Sequence, residues 1–386
     1  MEPLGCEAVQ LHEASGRILR EEARSSIDLP LFDNSAMDGF AVRAQDLATA
    51  TPDNPLKLRL LGEIPAGGTF SGELLPGACV RLFTGSPLPR GADAVIMQEE
   101  SRSSAEPGFV SFLGTVKPWE NLRFRGEDIK KDSVLARNRE RLQPGQIAAL
   151  AATGVSQVRV GHRPRVGLIS TGNELREAGE VLSENQVFES NRATLASLVS
   201  AAGGIPKLFP LVRDDLELVR TRLLEALTDC DSVITSGGVS VGDWDFIKPA
   251  IESIGGRIEF WQIAMKPGKP FVFAKHQGKL IFGLPGNPVS AFVTFLLLVR
   301  PALLRMQGAK ECKPASSPGT LGETFSNRAD RRHFMRVTID RKGSIQSAGM
   351  QNSHALSSLA RANGLIDVPP HTVWEAGRNV SVMRWD

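Results

Sequence analysis

Four times between residues 164 and 306, a short apolar run ends in a turn bearing glycine or carboxylates, and a helical pattern follows. Val166–Ser170 runs into Thr171-Gly172-Asn173-Glu174, and Leu208–Val212 into Arg213-Asp214-Asp215. Asp231–Ser236 runs into Gly237-Gly238-Val239-Ser240-Val241-Gly242-Asp243-Trp244-Asp245. Leu280–Leu284 runs into Pro285-Gly286-Asn287-Pro288. Such a series predicts a parallel sheet with all four turns at its carboxyl edge. Open α/β sheets bind ligands at that edge. Turns that combine uncovered backbone with acids suit a phosphorylated ligand handled with a metal ion.

The chain has 386 residues, enough for several domains, with 41% hydrophobic and 23% charged residues, as in a soluble globular protein. A formal charge of +2 makes no case for nucleic acid or an anionic membrane. The start, Met1 to Cys6, lacks the basic and apolar regions of a signal peptide. The most apolar stretch, Phe292–Val299, is too short to span a bilayer and reads as a buried helix. The expectation is a cytoplasmic protein. Cysteines at 6, 79, 230 and 312 are dispersed, and so are the histidines. A bound metal is therefore expected to be hard and oxygen-ligated, such as Mg²⁺. With no tyrosine, a phenol cannot act as acid or base.

Along the chain, residues 1–26 are predicted as an amphipathic helix carrying Val9, Leu11, Ile18 and Leu19. Residues 1–44 and 131–163 are expected to form a helical linker domain, with a short helix over Gln143–Thr153. Residues 45–130 read as a small β domain, 164–308 as the α/β domain, 309–319 as a linker and 320–386 as a small C-terminal β-barrel. Asn287-Pro288 reads as an N-cap with proline at the first helical position, and Pro301 should kink the last helix.

Each motif has a plainer alternative. In the Ser236–Asp243 turn, glycines allow positive φ and an anion-binding nest. The plainer reading is a tight turn in which Asp243 caps a helix and Asp245 complements its dipole. One member of the Asp214-Asp215 pair should be an N-cap, which by itself explains the pair; a metal role for the other is the sharper alternative. Thr171 or Asn173 can cap, but Glu174 then has no structural duty. Arg123 and Arg125 beside Glu127 and Asp128 fit either a surface ion-pair loop or an anion site. Lys266 and Lys269 fit either a solvated loop or a phosphate contact. Neither a Walker A pattern nor a helix-opening GxGxxG is present, which counts against P-loop and dinucleotide readings.

Taken together, Asp33–Gly39, Phe83-Thr84-Gly85, Gly91–Ala94, Gly126–Asp128, Ser170–Gly172 with Glu174, Gly237–Gly242, Met265–Pro270, Leu284–Ser290 and Ser357–Gly364 resemble the molybdopterin molybdenumtransferase family, the MoeA proteins and the E domain of gephyrin. The resemblance spans essentially the whole chain. It implies a multidomain α/β protein: a central three-layer α/β molybdopterin-binding domain, N-terminal helical and β domains, and a C-terminal small β-barrel. It implies insertion of molybdate into adenylyl-molybdopterin with release of AMP, assisted by Mg²⁺.

The resemblance assigns catalytic roles to Asp38, Thr84, Asp128, Glu174, Asp214 and Asp245, with metal held by Glu174, Asp214 and Asp245. Substrate contacts fall on Ser170, Thr171, Gly172, Ser236, Gly237, Gly238, Ser240, Gly242, Lys266, Lys269, Pro285, Gly286, Asn287 and Pro288. An elongated homodimer is implied, its cleft combining the α/β domain of one chain with the N-terminal β region of the other. The implied protein partners are molybdopterin adenylyltransferase and molybdoenzyme maturation factors. Gln262 stands where some members carry lysine, and Phe40 and Phe246 where tyrosine is frequent, so rings remain without hydroxyls. Two other readings are adenylation of molybdopterin, which needs only the α/β domain, and a non-enzymatic scaffold, which does not need five acids.

Overall fold

The computed structural model describes residues 2–239 and 245–385. Its central sheet runs Ile205–Leu208, Arg165–Ser170, Ser232–Ser236, Lys279–Leu284, Val272–His276, Arg257–Trp261 in spatial order. The first four strands are parallel, so their carboxyl ends share one edge. Val272–His276 runs opposite to them, and Arg257–Trp261 pairs antiparallel with Val272–His276.

Alternation along the strands feeds two cores. Ile234, Leu280 and Phe282 face the helices Asn191–Ala201 and Pro288–Met306. Val233 and Ile281 face the helices Leu216–Asp229 and Ile247–Ser253. This is the expected three-layer arrangement. The second strand lies earlier than expected, at Ile205–Leu208 rather than Leu208–Val212. Pro210 has no N–H for the ladder, whereas Pro206 is tolerated because its strand is at the sheet edge.

The helix from Pro288 to Met306 has 19 residues and enough apolar character to cross a membrane by length and composition, yet 67% of its most apolar window is buried in this fold. It is a core helix. Asn287 is its N-cap and Pro288 its first residue. Pro301 does not break it. The turn Phe295–Val299 widens to a π-helix just ahead of Pro301, which absorbs the missing amide.

The N-terminal helix expected over residues 1–26 does not form. Cys6–Gln10 is a strand pairing antiparallel with Gln157–Gly161, followed by a 3₁₀ turn at Leu11–Glu13. Gly16 at φ 75° interrupts any helix there. The apolar residues that imitated a helical stripe, Leu11 and Leu19, pack on Leu142, Leu150 and Val160. Among the described residues of this region only Pro144–Ala152 is α-helical, with a Gln143–Gln146 capping box. The domain expected to be helical is therefore mostly extended.

The small β sheet runs Ala94–Met97, Gly39–Val42, Ala78–Leu82, Leu56–Ile64, Phe109–Phe112, Ser101–Ser103. It takes in Gly39–Val42, ahead of the boundary expected at residue 45. Gly39 is obligatory, since a Cβ there would sit 2.1 Å from the Ile96 carbonyl oxygen. At the other end of the chain, Arg332–Ile339, Ser344–Ser347, Ser316–Leu321, Asn379–Met383 and Gly364–Val368 close into a five-strand barrel, the last strand pairing back to the first. Its strand Ser316–Leu321 begins inside the expected linker. A short helix, Leu356–Arg361, was not expected.

Candidate active site

The four strand ends open into one cavity of about 740 Å³. Of the expected site residues, Ser170, Thr171, Gly172, Glu174, Asp214, Ser236, Gly237, Gly238, Asp245, Pro285, Gly286, Asn287 and Pro288 line it. Ser240, Gly242 and the proposed cap Asp243 lie outside the described residues. Gly237 and Gly238 have φ of 90° and 65°, and a Cβ on Gly237 would meet the Thr171 carbonyl oxygen at 2.6 Å. That close approach is what the glycines provide. Several amides of the expected anion nest are already committed: Gly237 N–H donates to Leu284 O, Thr171 N–H to Ser236 O, and Gly172 N–H to Val212 O.

Within the Asp214-Asp215 pair, the N-cap expected of one member is present. Asp215 is the N-cap, its Oδ1 accepting from Leu218 N–H at 2.9 Å. Asp214 instead braces the neighbouring turn, accepting from Asn173 N–H at 3.1 Å, while its own N–H donates to Asn173 Oδ1 at 3.3 Å. Asn173 therefore ties two turns together rather than capping a helix. Burial raises the Asp214 carboxyl above its ordinary value, and the Glu174 and Asp245 charges push the same way. Asp245 precedes the helix N-cap, Phe246, and so stands outside the first turn where dipole complementation was expected.

A carboxyl whose pKa is raised by folding favours the folded state only while protonated, so an ionised Asp214 costs stability at neutral pH. Asp214→Asn should therefore leave the melting temperature unchanged or higher while impairing turnover. Asp215→Ala should do the reverse, costing about 1 kcal/mol of stability through the lost cap. Thermal melting alongside single-turnover kinetics checks both. Equal loss of activity in the two variants would refute the division.

Lys266 and Lys269 line an adjoining cavity of about 370 Å³ with Arg331 and Asn352. Pro270, Asn287 and His354 line both cavities, so the two are contiguous. Met265–Lys266 pairs in parallel with the barrel strand at Arg332–His333, which seats the lysine turn against the barrel.

Supporting residues that the sequence did not disclose are buried ones. Asn191 Nδ2 donates to Ser236 Oγ at 2.6 Å and to Gly286 O at 2.8 Å, joining two turns. Glu189 accepts from Ser170 Oγ at 3.1 Å and pairs with buried Arg192, which also reaches Glu177 at 2.6 Å. Arg336 is fully buried and donates to Met350 O, Asn352 O and Ser358 Oγ at 2.8, 3.0 and 2.9 Å. It thereby holds the 350–352 wall of the lysine cavity. Asn191 at a helix start was the one such signal open to a sequence reader.

The remaining expected residues stand apart. Asp38 Oδ1 accepts from both Thr84 Oγ1 and Thr84 N–H at 2.7 Å, bonds that hold its pKa below the ordinary carboxylate range. Asp128 lines a separate cavity of about 510 Å³ with Asn34, Gly85 and Arg123. Arg125 bonds Asp28 at 2.7 Å, an acid outside its own loop, and not the neighbouring Glu127 or Asp128. None of Asp38, Thr84 and Asp128 lines the 740 Å³ cavity. Within one chain the six expected catalytic residues fall into two groups. Among the described residues, no three carboxylate, histidine or cysteine side chains already cluster closely enough to hold a metal ion.

Three family models match in series: the MoeA N-terminal region (domain I and II) over residues 2–154, a probable molybdopterin binding domain over 167–305, and the MoeA C-terminal region (domain IV) over 318–385. A molybdopterin molybdenumtransferase from Haemophilus influenzae is 39% identical over 369 residues, 94% of this chain and 90% of that protein. This chain belongs to the MoeA family. Another molybdopterin molybdenumtransferase, from a Nostoc species, is 35% identical over 98% of this chain and 88% of its own length. The crystal structure of the molybdopterin biosynthesis MoeA protein from Pyrococcus horikoshii superposes with a TM-score of 0.83 at 32% identity, covering 100% of this chain and 96% of that one. The MoeA architecture thus accounts for the α/β unit, the extended N-terminal region and the closed barrel together.

Proposed function

We propose that this protein is a molybdopterin molybdenumtransferase: it inserts molybdate into adenylyl-molybdopterin and releases AMP. The observation that carries the reading is the pair of contiguous cavities at the carboxyl edge of the sheet. One is acidic and turn-lined, the other basic. The larger, at about 740 Å³, has room for a nucleotide-linked pterin. The smaller carries Lys266, Lys269 and Arg331, suited to the oxyanion molybdate. The substrate brings its own dithiolene sulfurs, so no protein thiol is needed.

The acids line one cavity and suit a divalent cation by charge, although their side chains are not already gathered into a metal cluster. Glu174, Asp214 and Asp245 are close enough for the other two charges to raise Asp214, a repulsion that a cation removes. In this reading these three residues would hold Mg²⁺, which when bound neutralises charge on the phosphate oxygens. The chain's own part is positioning. Asn191 and the Asp214–Asn173 brace fix the turns, and Lys266 and Lys269 orient the incoming oxyanion beside the scissile phosphate.

Asp38, Thr84 and Asp128 enter the reading as a partner chain's contribution, in a homodimer. We further place the protein in the cytoplasm, receiving its substrate from a molybdopterin adenylyltransferase and passing its product to molybdoenzyme maturation factors.

The test is AMP release from adenylyl-molybdopterin by the purified chain. It should require both molybdate and Mg²⁺ or Mn²⁺, and a zinc-selective chelator should leave it intact. AMP release at full rate after exhaustive removal of divalent ions would remove the metal from the mechanism. Consumption of ATP with molybdopterin would indicate the adenylyltransferase reaction instead.

A further inference from the structure

A further cavity of about 750 Å³, as large as the proposed substrate cavity, shares no lining residue with it. It forms where the 139–146 segment meets the end of the long core helix and the 309–313 segment that follows it. Five cations line it: Arg139, Arg141, Arg300, Lys310 and Lys313. Among the described residues none of the five is in an ion pair. Two carboxylates share the lining, Glu140 and the exposed Glu311. Of these, Glu140 is turned to its own loop, accepting from Arg137 N–H at 3.0 Å and Gln146 Nε2 at 3.4 Å.

Arg300 is the telling residue. It is half-buried, and among the described residues its hydrogen bonds are marginal ones to the Cys312 and Lys313 carbonyls at 3.5 and 3.4 Å. Burial and then the charge of Arg141 both depress its pKa, so a desolvated cation faces a second cation. Partly buried charge is ordinarily paired. Among the described residues no carboxylate is in an ion pair with Arg300. The floor is apolar, made by buried Ile18, Leu304 and Ala309.

We propose that this cavity binds a small anion bearing a phosphate or diphosphate group, with Arg141 and Arg300 as its principal contacts and Lys310 and Lys313 at the rim. Three observations favour a small ligand over an acidic peptide. The cations converge on one concavity instead of forming a stripe. The volume is that of a metabolite site. Guanidinium forks match phosphate oxygens in pairs. The contributing segments lie far apart in the chain, so an occupant would clamp the N-terminal region to the α/β unit and stabilise the fold by mass action.

Pyrophosphate is the probe, in calorimetry on the full chain at matched ionic strength. The lysine cavity also attracts anions, so the background is Lys266→Ala with Lys269→Ala. One site per chain should remain there, and pyrophosphate should raise the melting temperature. Arg141→Gln and Arg300→Gln should each weaken binding about tenfold or more. Arg141 is exposed, so its variant carries the test if Arg300→Gln folds poorly. Arg141→Gln on its own should leave AMP release intact, which separates this cavity from the substrate site. The proposal is overturned by no binding in the lysine-free background, by binding that both arginine variants retain, or by hexaglutamate displacing pyrophosphate.

Discussion

Asp245→Asn is expected to slow turnover by ~10²-fold or more, a loss of about 2.7 kcal/mol of transition-state stabilisation. The residue lines the 740 Å³ cavity at the sheet's carboxyl edge, and its charge reaches Asp214. It precedes the N-cap of a helix of only 7 residues, which is weak ground for a purely structural acid. Were it no more than a complement to the helix dipole, the substitution would cost about 0.3–1 kcal/mol of stability and spare turnover. Melting and kinetics on the one variant distinguish the two outcomes, since the first moves only the rate and the second only the melting temperature.

The second large effect concerns assembly. Asp38→Asn and Asp245→Asn homodimers should each be nearly inactive. Mixed and allowed to exchange subunits freely, about half of the dimers become heterodimers, each with one intact cleft and one doubly damaged cleft. Activity should return in part. The motive is the separation of the acids: Asp38 is bonded to Thr84 in the N-terminal region and takes no part in lining the cavity that Asp245 lines. A site complete within one chain cannot produce such recovery. The interface should bury roughly 2,000 Å² or more, as obligate pairs do. An active monomer by sedimentation, or no recovery after verified exchange, would falsify the shared cleft.

Much of the α/β unit was legible in the chain because its strands are buried on both faces. Val166–Ser170, Ser232–Ser236 and Lys279–Leu284 read as short apolar runs, and each ends in a turn that cannot continue a strand. Leu195 and Val199, or Val219 and Leu223, declare helices by spacing alone. The caps Asp215 and Asn287 follow from local chemistry. The misplaced second strand is an edge strand, where burial and hence pattern are weakest.

The failures share a different cause. Cys6–Gln10 is a strand only because Gln157–Gly161 lies beside it, a partner some 150 residues away that local periodicity does not register. Arg336 and the Glu189–Arg192 pair look like ordinary surface charges until burial shows what they hold. The separation of the expected catalytic acids was implied by the family resemblance alone, because motif order by itself carries no distance.

By itself, then, the sequence determined the parallel sheet, the turns at its carboxyl edge and the residue types gathered there, since these follow from contacts within a few positions of each other. Only the tertiary structure decided which turns share a cavity, that the lysine turn leans on the barrel to form a second one beside it, and that Asp38, Thr84 and Asp128 stand elsewhere. Those outcomes depend on long-range pairing and on which charges lose their water, and neither is a property of any local stretch of chain.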